Sequence, residues 1–594
     1  MPYAPSETWD LESIFPGGPG GAAFRAESEA LEVALRDLIV KADALPAEAS
    51  PAEMAAVLLP MEALSQRLEQ LGSFAGCSAA ADATGRDAIR GDSRANELWN
   101  LYGRAAVVPN ARIIRCSDAA FAALLAFPPL AERRGMLTEQ RRTARLHLPE
   151  AEESLANELA RDGIIAWGEV YDVESGSLRV TVDRGNGEES LSAGQATTLL
   201  GHDDRDIRER SFTALKSAWR SIAPRCATVL THITGTRQVL NARRNLDPLD
   251  EALMRARIER TTLDAMMEAA KGARPLIDRY LRAKARALGV ERLSWTDTAA
   301  PLGASGGGVA YADAQDFIVT QFDAFSPRLA EFSRRAFRER WIEVEDRPNK
   351  RGGGFCTELP LSQATRIFMT WGHNTRAVST LAHELGHAFH AEMLYAVPPA
   401  QRRVPMTLAE TASTFGEALV REAALTQATD PRVRLRLLDS ALSDALAFLA
   451  NVPARFELEQ SLYRMRREGP LEVDALEAET TRLFSEWYGP AVAEVDPTFW
   501  ASKLHFYISS MSFYNFPYTF GYLYSALVYN HYRPLGAAGA PGYEQMLRRT
   551  GDEWAEPIAK AELGLDLGDP ATWRRALAGV ERDVDAFVAL VDGG

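Results

Sequence analysis

The chain has 594 residues, with 66 basic side chains against 81 acidic ones and a net charge of −15; 46% of it is apolar and 25% charged. That apolar content is too high for a disordered chain, and the acidic balance argues against nucleic acid or an anionic membrane surface as partner. No stretch approaches the roughly 20 uncharged apolar residues of a membrane span. The four cysteines, Cys77, Cys116, Cys226 and Cys356, are scattered without a CxxC pair, so neither a disulfide framework nor a thiolate metal site is expected. The opening MPYAPSETWDLESIF lacks the basic-then-apolar layout of a signal peptide, and a soluble cytoplasmic protein with reduced thiols is the expectation. Length alone, at about 150 residues per domain, suggests about four units, although a helical array can merge several into one body.

In chain order, an apolar anchor (Trp9, Leu11, Ile14, Phe15) precedes the loop PGGPGG. From about 22 to 162 apolar residues recur at spacings of three and four, and EALEVALRDLIVKADAL, MAAVLLPMEALSQRLEQL and SLANELARDGIIAW read as amphipathic helices. Breaks are expected at Pro46, Pro51, Pro109, Pro128–Pro129 and Pro149. GSLRVTVDRGNGEESL, with alternating Leu178, Val180 and Val182 before an RGNGE turn, predicts a hairpin. A boundary near residue 195 would divide an N-terminal helical domain (1–195) from a catalytic domain (196–594). Helices resume from about 204 to 289. A loop-rich stretch from 294 to 354 holds one helix near 312–339, RIFMTW (366–371) reads as a short strand, and helices dominate from 376 onward. PLGASGGG and RGGGF lack the ending of a phosphate loop and read as flexible loops. Arg402–Arg403 and RRAFRERWIEVEDR read as solvated faces.

The segment TLAHELGHAFH (380–390) carries the chemistry. Its HExxH puts His383 and His387 on one face of a helix, where both imidazoles reach a single metal ion, and Glu384 beside them, where it can activate a water. Two histidines and a glutamate on an otherwise apolar helix need compensation, which a zinc ion supplies. No third histidine stands at the metzincin distance after His387. Glu410, 23 residues after His387 on a second helix (MTLAETASTFGEALVREA, 406–423), is the expected third ligand. Thr407-x-x-Glu410 also fits a capping box, and Glu417 is a rival two turns along the same face, better suited to orienting a ligand histidine. The lone His147, His202, His232 and His531 read as structural or surface residues; His373 and His390 lie near the motif without an assigned role.

TLAHELGHAFH followed by AETASTF resembles the thimet oligopeptidase and oligoendopeptidase F family of zinc metallopeptidases. WDLESIF, NKRGGGFC, RIFMTW and HFYISSMSFYNFPYTFGYLYS are similar to that family's N-terminal segment, Gly-rich loop, edge strand and C-terminal aromatic segment. The resemblance implies a mainly α fold, a large helical two-lobed body around a deep cleft, with a small β-sheet edge next to the HExxH helix. It implies one Zn2+ per chain held by His383, His387 and Glu410, Glu384 as general base, and His505 with Tyr514, Tyr518 and Tyr522 lining the cleft near the oxyanion. The tyrosines after Pro517 suit this, since a phenol donates a hydrogen bond to a developing oxyanion without losing its proton, though an aromatic run is also ordinary core.

The expected function is a zinc-dependent endopeptidase that hydrolyses short oligopeptides through a Glu-activated zinc-bound water, the peptide adding as a strand to the RIFMTW edge. A zinc carboxypeptidase or dipeptidyl carboxypeptidase of related helical fold is the alternative. It would need a basic residue for the substrate C-terminus. A non-enzymatic peptide-binding scaffold is a further one. Oligopeptides are the expected partners, with neither nucleic acid nor membrane, and the sequence carries no sign of oligomeric state.

Overall fold

The computed structural model describes residues 6–185, 187–303 and 308–593, with side chains omitted at 145, 150 and 151. Most of the predicted GASGGG loop (304–307) and Asn186 of the RGNGE turn lie outside the described residues. The fold is mainly α, as the sequence led one to expect. Three long helices, Ala22–Asp43, Pro51–Ala81 and Arg86–Arg115, pack together at the start. The second opens with a capping box: Ser50 accepts from the Glu53 amide, Glu53 returns to the Ser50 amide, and Pro51 occupies the first turn.

Pro109 does not break the chain where the sequence predicted. It sits inside Arg86–Arg115, as Pro60 sits inside Pro51–Ala81 and Pro224 inside Arg205–Arg244. An internal proline costs about 3 kcal/mol. Large apolar side chains buried along the same helix, such as Leu98 and Ile113, each return about 1.5–3 kcal/mol and offset it. The segment SLANELARDGIIAW is helical but interrupted: Glu150–Ala160 passes through one π turn at Arg161–Ile165, where Gly163 leaves helical geometry, into Ala166–Ser177.

The predicted hairpin forms as β1 (Arg179–Asp183) and β2 (Glu188–Ser192), antiparallel with Val180 opposite Leu191. Val180, Val182 and Leu191 are buried, and β1 packs on the helix Arg205–Arg244. The single helix expected near 312–339 is two, Tyr311–Phe325 and Pro327–Arg338. Ser326, pushed out of the helical region by the following proline, caps the second by accepting from the Leu329 amide.

A three-stranded sheet follows, β3 (Ile342–Glu343), β4 (Phe355–Leu359) and β5 (Ala364–Phe368), in the order β3-β5-β4. This corrects the reading of RIFMTW as an edge. Its strand is the middle one, parallel to β3 and antiparallel to β4. All five β5 residues are buried, as a strand covered on both sides must be, and the open edge belongs to β4, whose Phe355–Glu358 are half-exposed. The N-terminal segment braces the sheet: the Asp10 amide donates to the Arg340 carbonyl (2.7 Å), the Val344 amide to the Glu7 carbonyl (2.8 Å), and Trp9 packs on Phe368 at 5.6 Å.

By contacts the chain divides into two units, each built of three segments. One comprises 1–144, 307–423 and 528–563 and holds the three-stranded sheet and the HExxH helix; the other comprises 145–306, 424–527 and 564–594 and holds the hairpin. The expected division at 195 is one along the chain, whereas these units interleave along it.

Candidate metal centre

The helix Thr375–Leu394 begins at Asn374, whose side chain accepts from the Ala377 amide at 2.9 Å. It buries Val378, Leu381, Ala382, Leu385, Ala388 and Phe389. That apolar face fixes its rotation and leaves His383 and His387 together on the other, their rings 4.8 Å apart. The helix Met406–Gln427 meets it at a point of close approach. A Cβ on Gly386 would lie 2.4 Å from the Ala412 carbonyl oxygen and 2.6 Å from Ser413 Cα; one on Gly416 would lie 3.0 Å from the Ala382 carbonyl oxygen. Two glycines thus let the backbones approach, and the approach carries Glu410 to the histidines.

Glu410 Oε2 lies 3.3 Å from His383 Nε2 and 3.5 Å from His387 Nε2, and it accepts from Ser413 Oγ at 2.8 Å. The other ring nitrogen of His383, Nδ1, faces Glu417 Oε2 at 3.3 Å, and Ser379 Oγ donates to Glu417 Oε1 at 2.9 Å. Burial opposes the imidazolium of His383, but its hydrogen bonds to Glu410 and Glu417 win and raise it to about 10. Against burial, the histidines hold Glu410 well below the carboxylate range, and His383 holds Glu417 down. Glu384 goes the other way: burial raises its pKa despite both imidazoles. Only 7% of it is exposed, and its Oε2 is buried without a hydrogen-bond partner.

These residues line a cavity of about 400 Å³ with Gly354, Phe355, Cys356 and Glu358, from the start and the body of β4. His383, His387 and Glu410 are the one group of three or more metal-ligating side chains among the described residues, their donor atoms all within 4.8 Å of one another. The spacing fits a zinc ion. Ligand atoms about 2.05 Å from zinc at tetrahedral angles stand about 3.3 Å apart, against the 3.3 and 3.5 Å here. Glu417 is on the far side of the His383 ring, where it orients the imidazole rather than sharing the ion.

Of the other residues singled out in the sequence, His390 is fully packed and shares a 2.7 Å hydrogen bond with Thr550, and His373 takes a left-handed backbone at φ 50°. His505, Tyr514, Tyr518 and Tyr522 fall in the second unit. His505 packs against Tyr514 (4.7 Å between ring centres) and lies near-parallel to Tyr518 (6.2 Å); Tyr522 stands apart from this pair and stacks on Phe448 at 5.0 Å. His505 Nδ1 is 2.7 Å from the Asn515 Oδ1 acceptor, so Nδ1 carries the proton and Nε2 presents a lone pair. Burial holds the ring neutral, at about 4. Sequence reading missed Ser379, Ser413 and both close-approach glycines. Ser379 stands one turn before His383, and Ser413 three residues after Glu410, which is the signal that could have found them.

The HExxH helix, the glutamate-bearing helix that meets it and the strand beside them together form a candidate metal site. The chain matches the family described as Peptidase family M3 over residues 319–576 and that described as Oligopeptidase F over residues 112–179. These matches show a likeness to peptidase family M3 over the C-terminal part of the chain and to the oligopeptidase F model over a stretch of its N-terminal half. It is 22% identical to the oligopeptidase PepF of Bacillus subtilis over 69% of this chain and 61% of that protein. It is 26% identical to the chromosomal oligoendopeptidase F of Lactococcus lactis subsp. cremoris over 56% of this chain and 55% of that one. The match thus spans about three-fifths of these two relatives. A solved structure from Chlamydophila abortus shares the fold with a TM-score of 0.84 at 19% identity, covering 99% of both chains. Oligoendopeptidase F from Enterococcus faecium does so at 0.72 and 20%, covering 96% of this chain and 99% of that one.

Proposed function

We propose that this protein is a zinc-dependent endopeptidase acting on short peptides, with His383, His387 and Glu410 as the metal ligands. The observation that carries the reading is the approach of Glu410 Oε2 to both imidazole nitrogens, at 3.3 and 3.5 Å, beside a buried carboxylate, Glu384, that has an oxygen without a hydrogen-bond partner. The match to the peptidase family M3 model and the names of the relatives support it. Zinc, when bound there, would supply Lewis acidity toward a scissile carbonyl and acidify a water.

The chain's own groups do the rest. Glu384 Oε2 takes the proton of the attacking water and hands it to the leaving amine; burial, which raises its pKa, makes it a better base than a solvated carboxylate. A peptide pairs with the open edge of β4, whose first residues line the cavity, so that backbone hydrogen bonds set its register. In the aromatic group, His505 accepts through Nε2, and the donor for an oxyanion is the phenol of Tyr514 or Tyr518.

The test is Glu384→Gln, assayed for zinc content and for cleavage of a fluorescence-quenched peptide blocked at both ends. One zinc per chain with cleavage lowered about 10²–10⁴-fold is the expected result. Full zinc with cleavage at the parent rate overturns the reading. Because blocked ends leave an exopeptidase no terminus to hold, cleavage by the parent protein also separates an endopeptidase from a carboxypeptidase.

A further inference from the structure

Beside the metal centre, within the same unit, lies a second cavity of about 390 Å³. Its wall is made by the helices Pro51–Ala81, Arg86–Arg115 and Arg134–Arg142, by the end of β4 and by residues 399–403. Glu358 lines both cavities, so one side chain of β4 stands between the metal centre and this space. The strand is fixed here against the Pro51–Ala81 helix: Thr357 Oγ1 donates to Ser73 Oγ at 3.0 Å, and the Leu361 amide donates to Gln70 Oε1 at 3.2 Å. Glu69, next to Gln70, lines the second cavity together with Glu358.

Neither Glu358 nor Glu69 makes a hydrogen bond or ion pair through its carboxylate with any described residue. Glu62, a third acid on the wall, does: Arg133 Nη2 reaches it at 2.6 Å. Arg402, which the sequence placed on a solvated face, also lines the cavity, but it donates to the carbonyls of Val397 (2.9 Å) and Tyr395 (3.4 Å). Burial, with repulsion from Glu69, raises Glu358 to about 7, and the attraction of Arg402 does not reverse this. Gln140, also on the wall, adds a side-chain oxygen that is buried without a donor. The cavity thus combines apolar surface from Leu58, Met61 and Trp99 with two carboxylates that no cation of the wall contacts.

We propose that this cavity is a subsite for a basic side chain of the peptide substrate, Lys or Arg, whose cationic head meets Glu358 and Glu69. This rests on the peptidase reading above and adds a substrate feature to it. The stem of such a side chain is apolar and packs on the apolar part of the wall, while the head stays with the carboxylates. An ammonium has three donors and a guanidinium five, enough for two carboxylates and a further acceptor such as Gln140. The strand sets the position. Side chains two apart share one face of β4, so Glu358 stands about 7 Å along the edge from Cys356, which lines the metal cavity. A peptide paired with that edge therefore presents to Glu358 a residue about two positions from the one at the metal.

The experiment measures binding of end-blocked peptides to the zinc-loaded Glu384→Gln protein by calorimetry, which does not depend on turnover. One peptide sequence carries lysine, norleucine or glutamate at each position in turn, the norleucine form keeping the stem without the charge. At one position the lysine form is expected to bind about tenfold more tightly than the norleucine form. Added Glu358→Gln or Glu69→Gln should each lower that ratio about threefold or more, and the two together should bring it to within about twofold of one. Glu69→Gln, at an exposed position, keeps the test open if the Glu358 variant folds poorly. Equal binding of the lysine and norleucine forms at every position, or a lysine preference that survives these substitutions, overturns the proposal. So does a preference for glutamate, which would assign the cavity to Arg402 and Arg403 instead. Failure of the unmutated protein to cleave any of these peptides would strike the endopeptidase reading and leave the binding ratio to decide this one.

Discussion

Glu384 is the residue on which the chemistry turns. A carboxylate oxygen left buried without a hydrogen-bond partner costs about 1–3 kcal/mol, and Glu384, which has one, lines the cavity beside the two histidines. Glu417 has the opposite character, held by Ser379 and facing His383 Nδ1. Glu417→Gln is therefore expected to weaken zinc affinity about 10–100-fold while leaving one site per chain, as read by competition with a chromophoric chelator; unchanged affinity would mean that the imidazole needs no orienting partner. The HExxH spacing made His383, Glu384 and His387 legible in the sequence, because groups about one helical turn apart have little freedom. Glu410 was expected as the ligand and Glu417 as the orienting group, although their order around the His383 ring depends on where the second helix meets the first. The roles of His505 and the tyrosines were legible only through resemblance. The tautomer of His505 is set by Asn515, ten residues further on, through a contact that no spacing rule foretells.

At the scale of elements, the metal site depends on helices that touch through glycine. Gly386→Ala would drive its Cβ to within 2.4 Å of the Ala412 carbonyl oxygen, and backbone, unlike a side chain, has nowhere to go. We expect a loss of about 1–3 kcal/mol of stability or more, seen as a lower melting temperature, with weaker zinc binding because Glu410 moves with its helix. Gly76→Ala, in the helix Pro51–Ala81 with open space where its Cβ would sit, should instead raise stability by about 0.4–1 kcal/mol. If both substitutions act alike, the close approach is not what fixes the site. The strand beside the HExxH helix was legible as a strand, yet its place in the sheet was not. An apolar run fits a central strand as well as an edge, and only the pairing with β3 and β4 decides. Pro109 taught the same lesson in reverse, as tertiary packing carried a helix through a residue that local rules treat as a stop.

For the molecule as a whole, the fold class was legible from the three-and-four spacing that runs through most of the chain. The organisation was not, because each unit gathers three segments separated along the chain. Net charge told against nucleic acid as a partner. The central claim is that zinc held by His383, His387 and Glu410 is required for peptide hydrolysis. It is tested most directly by stripping the protein with a chelator and titrating zinc back while following cleavage of an end-blocked quenched peptide. Activity should be lost on stripping, rise with added zinc and level off at one ion per chain. Cleavage that persists undiminished in the stripped protein would contradict the account.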